Sequence, residues 1–177
     1  MSASQYEREL KGILEGKKSI LEKVTKTCSV IEKDNYFKIQ KKPFIVVRAA
    51  GSLGIDLVAT RGDISFLIEV KTSISGTLHF SSMGGKPQKQ AELMQKVCEK
   101  TKTLPIYAFR NKGFRGDSWR IFSLDVKGLE GRNSVVFRRL PNIKRSKSDN
   151  FVMKWEEGML LSDFISVSYT HLRAHET

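Results

Sequence analysis

Residues 55–71 read IDLVATRGDISFLIEVK, and this stretch decides the fold. Two apolar runs, at 55–59 and 66–70, are separated by residues 60–63, Thr-Arg-Gly-Asp, whose glycine and aspartate are typical of a tight turn. Apolar runs of this length joined by such a turn predict a β-hairpin. The first strand of the predicted hairpin carries one acidic residue, Asp56.

The second strand of this hairpin ends in Glu69-Val70-Lys71. Successive side chains of a strand alternate between faces, so Glu69 and Lys71 project to the same side. The hairpin can bring Asp56 beside Glu69, and carboxylate oxygens are the ligands that Mg²⁺ prefers. A bound cation would also offset the repulsion between two ionised acids. The pattern indicates a metal-dependent nuclease site; an ordinary hairpin with solvated charges is the alternative.

The segment before Asp56 favours an approach of phosphate to this site. An apolar strand predicted at 44–48 breaks into the small-residue turn 49–54, and small residues allow a phosphate backbone to come close. Arg48 and Ser52 are the side chains of this segment that can contact phosphate oxygens.

Composition points to a polyanionic partner. The chain has 177 residues, of which 40% are hydrophobic, so we expect one domain with one substantial core. Its 31 basic and 19 acidic residues give a net charge of +12, which favours nucleic acid because phosphate neutralisation releases counterions. An acidic membrane surface is the competing partner, but no run is long enough to span a bilayer, and we expect no membrane association.

Other classes of chemistry have little sequence support. Cys28 and Cys98 lack CxxC spacing, which argues against a disulfide framework or a structural zinc site and suits a reducing compartment. No apolar leader is visible at the N-terminus, so we expect a cytoplasmic protein. No P-loop or GxGxxG motif is present, so we expect no nucleotide cofactor.

The final residues have a different character from the rest. Residues 166–177 are interpreted as a non-native tail, because this sequence resembles a translated sequencing adapter. Without them only His79 remains among the histidines, which leaves little basis for a histidine-dependent hydrolase. We therefore predict a single nuclease domain over 1–165, with a core at about 4–125 and a basic C-terminal extension at about 126–165.

The remaining elements complete a mixed α/β order. We predict a first helix at 4–15, with Ser4 as its N-cap and Glu7 in a capping box. A second helix is compatible with residues 17–34, although the role of this segment is open. Further elements are a short strand at 78–80 within a loop, a helix that begins at Pro87, and strands at 104–109 and 119–124.

Taken together, these residues resemble the archaeal Holliday-junction resolvases, within the PD-(D/E)xK nuclease superfamily. The matching segments are 6–10, 47–52, 55–59, 67–72 and 90–92. The resemblance implies a restriction-endonuclease-like core, in which a central mixed β-sheet is flanked by helices. It also implies a homodimer that cleaves four-way DNA junctions with Mg²⁺, for which Mn²⁺ is a possible substitute.

The resemblance assigns roles to individual residues. The metal ligands are Asp56, Glu69 and Glu7, and the catalytic residues include Lys71 and Ser52. Contacts to DNA are expected from Arg48, Ser52, Gln90 and Arg8. Helical periodicity cannot choose between Glu7 and Glu9 as the acid of the first helix, because they flank opposite sides of the apolar stripe.

The predicted reaction is phosphodiester hydrolysis, with Asp56, Glu69 and the backbone carbonyl of Val70 holding one or two Mg²⁺ ions. Lys71 would orient or deprotonate the attacking water. Two alternatives stay open at this point. The first is a nuclease of the same superfamily with another DNA substrate, in restriction or repair. The second is a noncatalytic protein that binds DNA or DNA junctions.

Overall fold

A computed structural model describes residues 2–50 and 54–170 of the chain. The predicted phosphate contact Ser52 lies outside these described residues, as does the end of the predicted non-native tail from 171 onward. Within the described part, no helix is long and apolar enough to cross a membrane.

Within residues 2–50 and 54–170, nine strands form two sheets. They are β1 (Ile45–Arg48), β2 (Leu57–Arg61), β3 (Ile64–Ser73), β4 (Thr77–His79), β5 (Leu104–Asn111), β6 (Trp119–Phe122), β7 (Lys144–Arg145), β8 (Phe151–Lys154) and β9 (Met159–Leu160). The larger sheet has the order β1-β2-β3-β5-β6-β9, and the smaller has the order β4-β8-β7. β3 and β5 are parallel and the other neighbours in the larger sheet are antiparallel, which makes the sheet mixed.

The predicted hairpin is confirmed. β2 and β3 pair antiparallel, with Arg61 opposite Ile64, so only Gly62 and Asp63 form the turn. Gly62 has a φ of 56°, a left-handed conformation that glycine adopts without a steric penalty. The first strand is shifted two residues along the chain from the predicted range 55–59, since it spans Leu57–Arg61 and leaves Asp56 just before it.

Six α-helices of the described part of the chain lie around the larger sheet. They are α1 (Ala3–Leu14), α2 (Lys18–Val24), α3 (Val30–Phe37), α4 (Ser82–Thr101), α5 (Gly131–Phe137) and α6 (Leu161–Thr170). The prediction of an α/β fold with a central mixed sheet flanked by helices is therefore confirmed. In α4, residues 83–85 have positive φ, so the regular part begins after them and Pro87 lies in its first turn.

Two predictions about the N-terminal helices are wrong. The N-cap of α1 is Ser2 rather than Ser4, and its backbone N–H donates to the Gln5 side chain at 2.7 Å, so Glu7 takes no part in a capping box. The single helix predicted at 17–34 is instead divided into α2 and α3. Ser29 starts α3 with its own capping box, in which its hydroxyl accepts from the Glu32 N–H at 3.2 Å.

The two faces of the larger sheet bury separate apolar clusters. On one face, α1 and α6 pack against side chains that include Phe66, Ile68 and Ile106. On the other face, α4 and β8 pack against side chains that include Tyr107, Phe109 and Phe122. Because side chains of β3 alternate, Glu69 and Lys71 belong to the second face, which we call the α4 face.

Part of the segment predicted as a C-terminal extension packs into this architecture, and the predicted bounds of core and extension stay a prediction. β9 pairs with β6 at the edge of the larger sheet, and Leu161, Phe164 and Ile165 of α6 are buried in the core. α6 continues to Thr170, so the first residues of the predicted non-native tail are helical. The origin of that tail stays a prediction.

Candidate metal centre

The backbone holds Asp56 at the entrance of the hairpin. Its N–H donates to the Ile68 carbonyl at 3.0 Å, and its carbonyl accepts from Ala49 at 2.9 Å. Its side-chain Oδ2 accepts the Val70 N–H at 2.7 Å. The carboxyl is thus tied to the strand segment that carries Glu69, as the hairpin pattern predicted.

Glu69 and Lys71 meet on the α4 face. Glu69 is 8% exposed, and its Oε1 lies 3.4 Å from the Lys71 ammonium nitrogen. The second oxygen, Oε2, is buried and has no hydrogen-bond partner within the described residues. A buried carboxylate oxygen that stays unpaired costs free energy, because water no longer solvates it. This oxygen is therefore available to a cation.

Electrostatics couple the two acids. Burial, the largest cause, and the Asp56 charge raise the pKa of Glu69 to about 8, against the lowering effect of Lys71. Burial also raises the pKa of Asp56, against the opposing effect of the Val70 N–H bond. The Asp56 charge thus disfavours ionisation of Glu69, which is the electrostatic condition that a bound cation relieves, whereas a hydrogen bond with the Glu69 side chain lowers the pKa of Asp56.

The structure separates Glu7 from Glu9. The Glu7 Oε2 lies 2.8 Å from Arg48 Nη2, and the Glu7 charge raises the pKa of Asp56, so Glu7 lies at the site. Glu9 is buried elsewhere, where its Oε1 accepts from Arg110 Nε and Trp119 Nε1, both at 2.9 Å. The acid of the first helix that faces the carboxyl pair is Glu7.

Of the other predicted DNA contacts, two lie near the candidate metal centre and one lies elsewhere. Arg48 lies at the site through its ion pair with Glu7. Gln90 lies close to Gly54, which is two residues before Asp56. A Cβ added to Gly54 would lie 3.5 Å from the Gln90 side chain. Arg8 is exposed on another side of α1, where it lines a groove with Lys23. The structure does not bring Arg8 to the carboxyl pair.

Sequence reasoning missed Tyr107. This residue is the register partner of Glu69 across the parallel pair β3 and β5, and it is 1% exposed. Burial raises its pKa, and the charges of Glu69 and Asp56 raise it further, so its phenol faces the carboxyl pair in the neutral form. No local pattern could have located it, because the contact depends on the register between β3 and β5.

The donor set suits a hard divalent cation. Within the described residues, no group of three or more histidine, cysteine, aspartate or glutamate side chains is close enough to hold a metal ion. Glu7 is paired with Arg48, so the two carboxyls left to bind a cation are those of Asp56 and Glu69. Of these, Glu69 has an unpaired oxygen. Two oxygen donors with room for water or phosphate are typical of Mg²⁺ sites, which rarely use a full protein cage.

Comparisons with known proteins reveal a likeness in structure but no match in sequence. No protein-family model matches the chain, and no curated protein matches it in sequence. Among solved structures, it is similar to Hjc, a Holliday junction resolvase from the archaeal hyperthermophile Archaeoglobus fulgidus. The identity is 19% and the TM-score 0.49, over 77% of this chain and 93% of that chain. A likeness at this level does not assign a function, which depends on the residues of the site.

Proposed function

We propose that the chain is a divalent-cation-dependent endodeoxyribonuclease that acts on branched DNA, with the four-way junction as its substrate. The observation that carries this proposal is the pair of half-buried Asp56 and buried Glu69, the latter with one unpaired carboxylate oxygen, beside the Lys71 ammonium. A purely structural acid pair in a protein core would be expected to have its oxygens satisfied.

Asp56 and Glu69, together with the carbonyl of Val70, would hold one or two Mg²⁺ ions, or Mn²⁺ as a substitute. When bound, the cation supplies Lewis-acid stabilisation of the charge that develops on the phosphate. The protein supplies the position. The Val70 N–H fixes the Asp56 carboxyl, and burial keeps the site dry enough for its charges to act strongly.

Lys71 would orient the attacking water or stabilise the charged transition state, since its ammonium lies at the acid pair and is 24% exposed. Arg48 would contact the phosphate flanking the scissile bond, because its guanidinium is 37% exposed and held by Glu7. Gln90 and Ser52 are proposed to contact the adjoining backbone phosphates.

The DNA substrate is supported by charge and by the sequence motifs. The net charge of +12 favours a polyanion, and the order of the matching segments resembles that of junction resolvases. A homodimer would place two such sites on the two-fold symmetric junction, so that paired strands are cut.

The test is incubation of labelled four-way junction, linear duplex and single strands with the protein, in Mg²⁺ and in EDTA. We expect paired incisions in the junction that require Mg²⁺. The variants Glu69→Gln and Asp56→Asn should lose at least about 100-fold in rate while still binding DNA. The control Glu22→Gln removes an exposed acid of α2 and should cleave as the parent does.

Retained cleavage by Glu69→Gln or Asp56→Asn would refute these assignments. Binding without any incision would favour a noncatalytic DNA-binding protein, and equal cleavage of duplex would favour a nuclease with another DNA substrate.

A further inference from the structure

A loop at residues 111–117, between β5 and β6, presents an aromatic ring and basic side chains to solvent; we call it the aromatic loop. Phe114 at its tip is 44% exposed. Lys112 and Arg115 flank it in sequence, and Arg115 is exposed. A solitary exposed apolar residue is ordinary on a protein surface, so the position and support of Phe114 decide its meaning.

The aromatic loop lies at the same end of the sheet as the candidate metal centre. Lys71 pairs with Phe109 in the parallel register, and the Lys112 N–H donates to the Ser73 carbonyl at 2.9 Å. Tyr107, the partner of Glu69, is four residues from Asn111, which corresponds to about 13 Å along the strand. That separation is shorter than the width of a DNA duplex, so one substrate can contact both places.

The Phe114 ring also lies on the same face as the acid pair. Its centroid is 4.6 Å from that of Trp155, which belongs to the apolar cluster of the α4 face. The Arg120 guanidinium lies 3.8 Å from the Trp155 ring centre, and Arg120 is 9% exposed. Phe114 is therefore the exposed member of a cluster whose inner members, Trp155 and Arg120, are buried.

The backbone of the aromatic loop is fixed rather than free. The Gly116 N–H donates to the Thr27 hydroxyl at 2.8 Å, which connects the loop to the turn between α2 and α3. The Asn111 N–H donates to the Ser118 carbonyl at 3.0 Å. Gly116 has a φ of 105°, a conformation that other residues rarely adopt. A ring held in this way loses little conformational entropy when a ligand stacks on it.

A second exposed apolar side chain lies on the adjoining loop. Ile74 is 79% exposed and follows Ser73, whose carbonyl is bonded to the aromatic loop. Positive charge is close in sequence to the Phe114 ring, from exposed Arg115 and from Lys112, whose ammonium lies 5.7 Å from the Tyr6 ring centre. An exposed ring with neighbouring cations matches an unstacked base and its phosphates. Bases stack on aromatic rings whatever their sequence, and phosphates pair with the neighbouring cations.

We propose that the aromatic loop binds an unstacked base of the DNA substrate, with Phe114 stacking on the base and Lys112 and Arg115 on its phosphates. This inference deepens the proposed function, on which it rests. In this proposal Phe114 distinguishes branched from linear DNA, because every base of a continuous duplex is already stacked on its neighbours.

The test measures DNA affinity in the Glu69→Gln background, which binds without cutting. The ligands are a fluorescein-labelled four-way junction and a linear duplex with the same arm sequence. Phe114→Ala should weaken junction binding about tenfold and change duplex binding less than about twofold. Phe114→Leu keeps an apolar contact to Trp155 and should lose as much, whereas Phe114→Trp should retain parental affinity.

Ile31→Ala is the matched control, since Ile31 is 74% exposed on α3 and carries no proposed role; it should bind both ligands as the parent does. A junction with 2-aminopurine at the branch point supplies a second readout. Parental protein should quench its fluorescence, and Phe114→Leu should not.

Junction affinity unchanged in Phe114→Ala and Phe114→Leu would overturn the inference, and so would an equal loss on junction and duplex. Neither result would affect the proposed nuclease activity, which is tested by metal-dependent incision. If the parental protein failed to bind the junction at all, both the proposed function and this inference would be refuted.

Discussion

Two buried carboxyls of this molecule, Asp117 and Glu69, have opposite surroundings. Asp117 is 1% exposed, and it accepts hydrogen bonds from the Tyr36 hydroxyl at 2.6 Å, the Ser162 N–H at 3.0 Å and the Trp119 N–H at 3.4 Å. Glu69 is 8% exposed and has one oxygen without a partner in the described residues.

The surroundings of Asp117 and Glu69 separate a structural acid from a candidate functional acid in this fold. Burial raises the pKa of both carboxyls, so the pKa shift alone does not distinguish them. The difference lies in the partners. Asp117 is satisfied by donors from three elements of the core, whereas Glu69 faces a second acid and a lysine at the surface. An acid pair with an oxygen that no protein group satisfies is suited to receive a ligand.

The largest expected effect on stability follows from breaking the satisfied site. Asp117→Ala would leave the Tyr36 hydroxyl and the Ser162 N–H buried without an acceptor. We expect a loss of about 3 kcal/mol in the free energy of unfolding, which lowers the Tm by about 6–12 °C. Thermal unfolding followed by circular dichroism measures it. Asp34→Ala, at an exposed position of α3, is the control, and an equally small shift in both variants would contradict the structural role.

Glu7 and Glu9 of α1 show the same contrast between a candidate functional acid and a structural acid on one helix. Glu9→Gln should lower the free energy of unfolding by about 2 kcal/mol, because Glu9 accepts buried bonds from Arg110 and Trp119. Glu7→Gln should lower cleavage about 10- to 100-fold, the usual cost of a residue that supports a metal ligand. Its stability should change by less than about 1 kcal/mol, because its pair with Arg48 is partly exposed.

Unfolding curves and cleavage rates, measured for both variants, test which acid belongs to the site. The reverse pattern, with a stable but inactive Glu9→Gln and an unstable but active Glu7→Gln, would assign the site acid to Glu9.

A smaller effect, of opposite sign, is expected at Glu69. Its pKa is raised from 4.5 to about 8, so ionisation opposes folding. Below pH 4.5 the side chain is protonated in both states and contributes nothing; between pH 4.5 and 8 the unfolded state loses the proton first, and stability falls. Without metal, Glu69→Gln should therefore be more stable than the parent by at least about 1 kcal/mol at pH 8, or about 2–4 °C in Tm.

The measurement is the Tm of both proteins in EDTA from pH 5 to pH 8. The gain of Glu69→Gln over the parent should grow with pH, while Glu22→Gln should follow the parent throughout. A gain that is constant or absent across this range would show that Glu69 is not held in a destabilising environment.

The hairpin and the acid pair could be predicted because their signals are local. Alternation placed Glu69 and Lys71 on one side, and the turn at Gly62 brought Asp56 to Glu69. The resemblance to junction resolvases added the first-helix acid. These parts of the site depend on residues within 16 positions of each other or on a known motif.

The remaining features depend on long-range packing, which local patterns do not encode. Glu7 and Glu9 differ in their distant partners, which are Arg48 for Glu7, and Arg110 and Trp119, about a hundred residues away, for Glu9. Tyr107 faces the acids because of the parallel register of β3 and β5. The break between α2 and α3 was missed because the Ser29 and Glu32 capping box falls inside a continuous helix-compatible pattern.

The most direct test of the central claim is calorimetric titration of Mn²⁺ into the parent protein and into Glu69→Gln at pH 7. We predict saturable binding by the parent that is lost in the variant. Because the raised pKa of Glu69 keeps its carboxyl largely protonated at this pH, binding should also release protons, seen as a heat that depends on the buffer. Equal Mn²⁺ affinity in the two proteins, or none in the parent, would contradict the assignment of Asp56 and Glu69 as a cation site.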